Sequence, residues 1–435
     1  MIYTLRLHQP VRSWRDGHGD MELTSFYLPL TPEQVQAHLA QALDRLPIDG
    51  KRVLVIIPDG TRSAPIPLLF ALLNDLICSR ARQLDYLIAL GTHPPMTDTA
   101  VDRLVGMSSA DRTKKYQGVN IFNHRWDDPA SLTTLGTISA SEMAALTNGI
   151  LPVDVPIRLN RLLLDYDQLL ICGPVFPHEV VGFSGGAKYL FPGVAGPEVI
   201  HVTHWLGALV TSMNTIGVKD TPVRRVIHRA AAFVKQPIFC LALAVKGHDL
   251  HGLFIGSHEQ AWEAAADLSA QLNIVKVKQP FEQVLSMPAP RYDELWTAAK
   301  AMYKTEPVIT DGGEVIIYAP HMTEISRTHG KLIRQVGYHV RDYFTKQWER
   351  FQEIPWAVLA HSTHVRGIGT FEAGIERPRI RVTLATGISA EVCEQINLGY
   401  RDPATINPDE WANREAEGLL LVRDAGEYLY RLSGK

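Results

Sequence analysis

The sequence predicts an α/β protein built as two α/β domains with mainly parallel sheets and an active site in the cleft between them. Three observations carry that prediction. Near-continuous apolar runs of strand length recur along the chain, each ending in a loop of Gly, Pro, Asp or His, as expected of strands buried on both faces. Helical patterns alternate with these runs, as in a parallel sheet flanked by helices. The chain has 435 residues, too many for one ordinary core.

The elements follow in order. TPEQVQAHLAQALDRL (31–46) reads as a helix with Thr31 as N-cap, Pro32 in the first turn and an apolar face of Val35, Leu39, Leu43 and Leu46. KRVLVIIPDGTR (51–62) reads as a strand and its loop, and PIPLLFALLNDLICSRA (65–81) as the helix after it. LDYLIALGTHPPMT (84–97) and DQLLICGPVFPH (167–178) are two more strand–loop units. Around 273–290 the pattern loosens and prolines appear, which marks a domain boundary. Beyond it, 312–320, 356–364 and 380–387 read as strands. The expected domains are therefore 1–274 and 275–405. NPDEWANREAEGLLLV (407–422) reads as a C-terminal helix, so that 406–435 packs back on the first domain.

Composition narrows the function. The net charge is −3 and no Lys/Arg run stands out, which argues against a general nucleic-acid binder. The longest apolar run, PIFCLALAV (237–245), is too short to span a bilayer. The N-terminus lacks the apolar core of a signal peptide. Cys78, Cys172, Cys240 and Cys393 show no CxxC spacing and read as free thiols of a reducing compartment, so a cytoplasmic location is expected.

In open α/β sheets ligands lie beyond the carboxyl ends of the strands. The three strand–loop units place Asp59, Thr61 and Arg62, then Thr92 and His93, then His178 at such ends. If the strands are neighbours, these groups converge on one edge. The loop that follows, GFSGGAKYLFPG (182–193), sets Lys188 after Ser184, Gly185 and Gly186. It is a poor nucleotide P-loop, because Ala187 stands where the second glycine belongs and Tyr189 replaces the magnesium-binding hydroxyl. It remains either an anion cradle of exposed N–H groups or a tight turn that needs two glycines. His201 and His204 follow at i, i+3 spacing, which allows a paired metal site on one helical face. No HExxH or Cys cluster accompanies them, so an ordinary zinc hydrolase is poorly supported.

Taken together, PDGTR (58–62), GTHPPMT (91–97), PHEVVGFSGGAKYLFPGVAG (177–196), His204 and Lys300 in LWTAAKAMY (295–303) resemble the lactate racemase family, the nickel-pincer racemases and epimerases of 2-hydroxy acids. The resemblance implies an isomerase whose first domain holds the cofactor and whose second holds the substrate. The implied cofactor is a nickel-pincer nucleotide, pyridinium-3-thioamide-5-thiocarboxylic acid mononucleotide, joined to Lys188 and carrying Ni2+. It further implies that His204 ligates nickel, that His93 and His178 are the acid–base pair, and that Asp59 and Arg62 lie near cofactor and substrate. Ser184, Gly185 and Gly186 are the cofactor-cradling positions, and Arg62 and Lys300 are to anchor the carboxylate. Hydride passes from C2 to the cofactor and returns to the other face. The implied partners are a small 2-hydroxy acid and the proteins that make the cofactor, with neither nucleic acid nor membrane; homo-oligomerisation is left open.

These residue types suit the roles. Acylation needs a lysine amine, which arginine cannot supply. A neutral imidazole suits a thiolate-bound late transition metal. Two acid–base groups allow either enantiomer to lose its hydroxyl proton. The sequence departs from the family at Thr297, where a glutamine is typical, and at Trp296, where a tyrosine is common. Both are expected to line the substrate pocket, so the substrate is not restricted to lactate and extends to larger aliphatic, aromatic or sugar-derived acids. Two rival classes remain: a nicotinamide-dependent oxidoreductase, disfavoured because no GxGxxG follows the early strands, and a non-catalytic sugar-acid or anion sensor.

Overall fold

The computed structural model describes residues 3–5, 28–61 and 63–434; Arg62 lies outside the described residues. Among them, a seven-stranded sheet orders its strands Tyr3–Leu5, Asp249–Ser257, Ile238–Lys246, Gln168–Pro174, Arg52–Pro58, Gln83–Ala89 and Ile121–Asn123. The last five run parallel; the first two form an antiparallel edge. The three strands singled out in the sequence are thus central neighbours.

The sheet is buried on both faces because its strands are apolar on both. Along Arg52–Pro58, Val53, Val55 and Ile57 join the core under the helices Pro32–Leu43 and Ile66–Ile77. The alternate residues Leu54 and Ile56 join the core under Pro197–Val210, Pro222–Ala231 and His258–Asn273. The first helix starts as expected, with Thr31 and Gln34 forming a capping box before Pro32.

A second sheet is all parallel, in the order Gly399–Tyr400, Arg381–Thr386, Ile309–Ala319, Phe281–Pro288 and Leu419–Ala425. It has its own core, which includes Val284, Val315, Ile317 and Leu384. The loosened stretch 273–290, expected as a domain boundary, lies where the second sheet begins. It forms the strand Ile274–Val277 and then Phe281–Pro288 at the heart of the second sheet.

Two expectations are corrected. Residues 356–364 are not a strand but part of the helix Trp356–Arg366. It lies between the two cores, sending Leu359 and Ala360 into the first and Val358 and Val365 into the second. A helix buried all round has no polar stripe, so its sequence reads like a buried strand. Residues 407–422 are not a helix. Short 3-10 turns at Pro408–Trp411 and Glu415–Glu417 precede the strand Leu419–Ala425. Asn413 (φ 60°) and Gly418 (φ 79°) adopt left-handed backbone that ends any helix. Leu420 and Val422 then face one core while Leu421 faces another, the alternation of a strand. The C-terminal segment still reaches the first part of the chain: Leu429–Leu432 pairs with Ile274–Val277, and Arg431 donates to the carbonyls of Met213 and Ile216.

Candidate active site

The loops after the three central strands open into one cleft. One wall carries Asp59, His93, His178, Ser184, Lys188 and His204. The facing wall carries Trp296, Thr297, Lys300 and Tyr303, with Ala357 from the wedged helix. Residues more than two hundred positions apart thus face one space.

On the first wall the histidine rings are oriented by backbone or carboxylate partners. Asp59 is buried. One of its oxygens accepts from the backbone N–H and hydroxyl of Thr61 at 3.1 and 2.6 Å. The other lies 2.5 Å from Nδ1 of His93. A carboxylate only accepts, so Nδ1 carries the hydrogen and Nε2 keeps its lone pair. His178 is arranged the opposite way. Its Nδ1 accepts the backbone N–H of Val180 at 3.1 Å, which puts the hydrogen of the neutral ring on Nε2. Glu179 Oε2 stands 3.3 Å from the same Nδ1.

His204 lies on the helix Pro197–Val210 and gives its Nδ1 hydrogen to the Ile200 carbonyl at 2.6 Å. Burial pushes its pKa down to about 4, and the nearby Lys188 cation adds to this, while the Ile200 bond opposes it. The ring is therefore neutral at pH 7 with Nε2 as its lone-pair nitrogen. That is the state of a metal-ligating histidine whose other nitrogen is held by a backbone carbonyl.

The lysine loop is braced from behind. Gly185 has φ 82°, and a Cβ there would lie 2.5 Å from Val175 Cγ2, so glycine is required. The loop continues as a single 3-10 turn, Gly186–Tyr189, with no long helix to add a dipole. One expectation is corrected here. Ser184 does not offer its N–H to a ligand, because it donates to Phe176 O at 2.8 Å while the Ser184 hydroxyl accepts from Phe176 N–H. At Gly186 a Cβ would lie 2.8 Å from Trp262 Cβ, so only glycine fits there. Of His201 and His204, only His204 lines the cleft, and the His201 Nδ1 is buried without a hydrogen-bond partner.

The facing wall is held by stacking. The Trp296 ring lies 4.1 Å from His361 and 4.5 Å from His329, centroid to centroid. Thr297 donates its hydroxyl hydrogen to Glu294 O at 3.2 Å. Lys300 directs Nζ toward Thr297 O at 3.4 Å and lies over the Tyr292 ring at 4.7 Å. Sequence reasoning missed Tyr303 and Glu179 in the cleft. Tyr303 falls three residues after Lys300, on the same helical face, and that spacing could have found it.

Residues 33–217 match the family described as lactate racemase N-terminal domain. The lactate racemase of Thermoanaerobacterium thermosaccharolyticum is 25% identical over 277 residues, which is 62% of this chain and 60% of that protein. The lactate racemase of Lactiplantibacillus plantarum is 24% identical over 276 residues, with the same shares. The match therefore spans 60% of the length of these curated relatives. Among solved structures, a protein of Thermotoga maritima superposes with a TM-score of 0.85 at 32% identity, covering 93% of this chain and 99% of that one. The lactate racemase apoprotein of Thermoanaerobacterium thermosaccharolyticum superposes with a TM-score of 0.68 at 19% identity, covering 94% and 97%.

Proposed function

We propose that the chain is a member of the lactate racemase family, as the match of residues 33–217 and the two curated relatives support, and that it is a racemase or epimerase of a 2-hydroxy acid, working with a nickel-pincer nucleotide linked to Lys188. One observation carries the reading. Lys188, His204, His93 and His178 line one cleft, and each of the three rings has its Nδ1 occupied by a different partner. The donor set suits the cofactor: an amine for acylation, a neutral imidazole with its lone pair on Nε2 for nickel, and Gly185 for close backbone approach. When bound, that group supplies a hydride acceptor and donor for C2.

The chain's own residues supply the rest. His93 rests with a lone pair on Nε2 and is a ready base, whereas His178 acts as the acid in its imidazolium form, with Glu179 Oε2 3.3 Å from its Nδ1 to balance the charge. One takes the hydroxyl proton of the incoming acid and the other returns a proton to the product alkoxide. The pair holds one extra proton between its two rings, so after turnover the base carries it and the acid has lost it, and their states stand exchanged as the reverse reaction requires. Asp59 holds the His93 ring in place and stabilises it when it is cationic. Lys300 binds the carboxylate, with Arg62 proposed as its second anchor. Trp296 and Thr297 shape the space beyond C2. Because the Thr297 hydroxyl donates to the Glu294 carbonyl, this position no longer offers a side-chain donor. We propose a substrate bulkier than lactate on that ground. In this reading the first sheet and its loops hold the cofactor, residues 275–405 hold the substrate, and the strand Leu419–Ala425 goes with the substrate side.

The test is a panel of single-enantiomer 2-hydroxy acids, including sugar acids, followed by chiral analysis after incubation with protein made alongside the family's cofactor-making proteins. Inversion at C2 of at least one acid is expected. Unchanged stereochemistry across the panel, with the Lys188 adduct present by intact mass, would overturn the proposal. The sensor reading predicts binding without inversion, unaffected by loss of His93 or His178.

A further inference from the structure

Away from the cleft, the helix Pro222–Ala231 and the first turn of His258–Asn273 bring together three groups from 30 residues apart in the chain. His228 Nδ1, His258 Nε2 and a Glu259 carboxylate oxygen all lie within 4.8 Å of one another. Glu259 Oε1 is 3.5 Å from His228 Nδ1 and 3.9 Å from His258 Nε2. Both ring nitrogens are buried and neither makes a hydrogen bond. Two unbonded imidazole nitrogens beside a carboxylate are a costly arrangement unless something joins them.

We propose that His228, His258 and Glu259 form a binding site for a divalent transition ion of the zinc type, independent of the cleft. Two imidazoles and one carboxylate are a normal ligand set for such an ion, and a fourth position is left for water. Neighbouring ligand atoms around tetrahedral zinc stand roughly 3.3 Å apart, given bonds of about 2.0 to 2.1 Å. Glu259 is exposed and can close the remaining gap by rotating. Its exposed position also provides the route of entry. Arg224, one turn before His228, is a cation close enough to act on both rings. Its guanidinium is committed elsewhere, donating to Phe183 O and Gly185 O and lying 4.1 Å above the Trp262 ring.

That commitment gives the site a position of consequence. Arg224 and Trp262 brace the lysine loop from behind, with Trp262 Nε1–H donating to Ser184 O at 2.9 Å. An ion at His228, His258 and Glu259 ties together the two helices that carry those braces.

The experiment uses the full chain carrying His204→Ala, so that the cleft ligand does not contribute. The protein is dialysed to equilibrium against micromolar zinc chloride, and zinc is counted per chain. His258→Ala and Glu259→Gln are each expected to remove one zinc per chain, or to weaken its binding on the order of tenfold or more, since loss of even an outer-sphere partner weakens metal sites by about that much. Zinc should also raise the melting temperature of the His204→Ala protein and fail to do so once either change is added. The Glu259→Gln change is exposed and should leave folding intact, so it keeps the test valid if a histidine variant misfolds. Equal zinc content and affinity with and without both changes would overturn the site.

Discussion

The two walls of the cleft are built by different physics. On the first, backbone groups and one carboxylate hold the three histidine rings by directional bonds: Asp59 on His93, Val180 on His178, Ile200 on His204. On the second, Trp296 stacks on His361 and meets His329 at a tilt; His361 Nε2 also lies 3.2 Å from Trp296 O, while His329 Nε2 and His361 Nδ1 are buried without hydrogen bonds. Directional bonds set tautomer and aim, which proton transfer needs. Stacking sets only shape and position, and tolerates exchange of one flat ring for another. On the proposed function, the first wall would carry the chemistry and the second would set substrate choice.

The largest expected effect lies on the first wall. Lys188→Ala, and equally Lys188→Arg, should abolish the cofactor adduct seen by intact mass and all stereochemical activity, because the bond requires the lysine amine. An unchanged mass in either variant would break the assignment. His93→Ala or His178→Ala should slow interconversion of enantiomers by about 10²- to 10⁴-fold while leaving the adduct in place, measured by chiral analysis. A loss of only twofold or threefold would move these rings out of the chemistry. His204→Ala should keep the adduct but lose nickel, read by metal analysis of the purified protein.

The second wall should answer more gently. Trp296→Tyr keeps a flat ring but changes its extent, and should shift the ratio of kcat/KM between a small and a large 2-hydroxy acid on the order of tenfold. If that change instead abolished turnover of every acid, the division of labour between the walls would fail. The smallest effect is on stability against acid. Burial, reinforced by neighbouring histidines in the first two, lowers the pKa of His329 to about 4 and of His361 to about 3, and burial brings that of His364 to about 4. In the unfolded chain these rings take up protons near pH 6.5. Between those values the unfolded state binds more protons, so stability falls as pH drops from 6.5 toward 4. Urea midpoints across that range should show this, and His361→Phe should flatten the slope by up to roughly 1.4 kcal/mol per pH unit, one proton's worth.

Much of this was legible in the chain itself. The apolar runs ending at Asp59, His93 and His178 announce parallel strands, and their loops mark the functional edge, because a strand buried on both faces needs such a sequence. The two misread segments failed for identifiable reasons. Residues 356–364 touch both cores and so lack the polar stripe that tells a helix from a strand. Residues 407–422 look helical up to Asn413 and Gly418, whose left-handed backbone redirects the chain into a sheet edge.

What the sequence determined alone is the alternation of elements, the strand-end residues and the lysine loop, since these depend on local backbone preference and periodicity. The tertiary structure decided the rest: that a Cβ at Gly186 would meet Trp262, that His93 and His178 rest in opposite tautomers, that His204 but not His201 lines the cleft, and that His228 meets His258 and Glu259. Each of these turns on which atom lies within about 3 to 4 Å of another across a long stretch of chain, and that distance is set by the packing of whole helices and sheets.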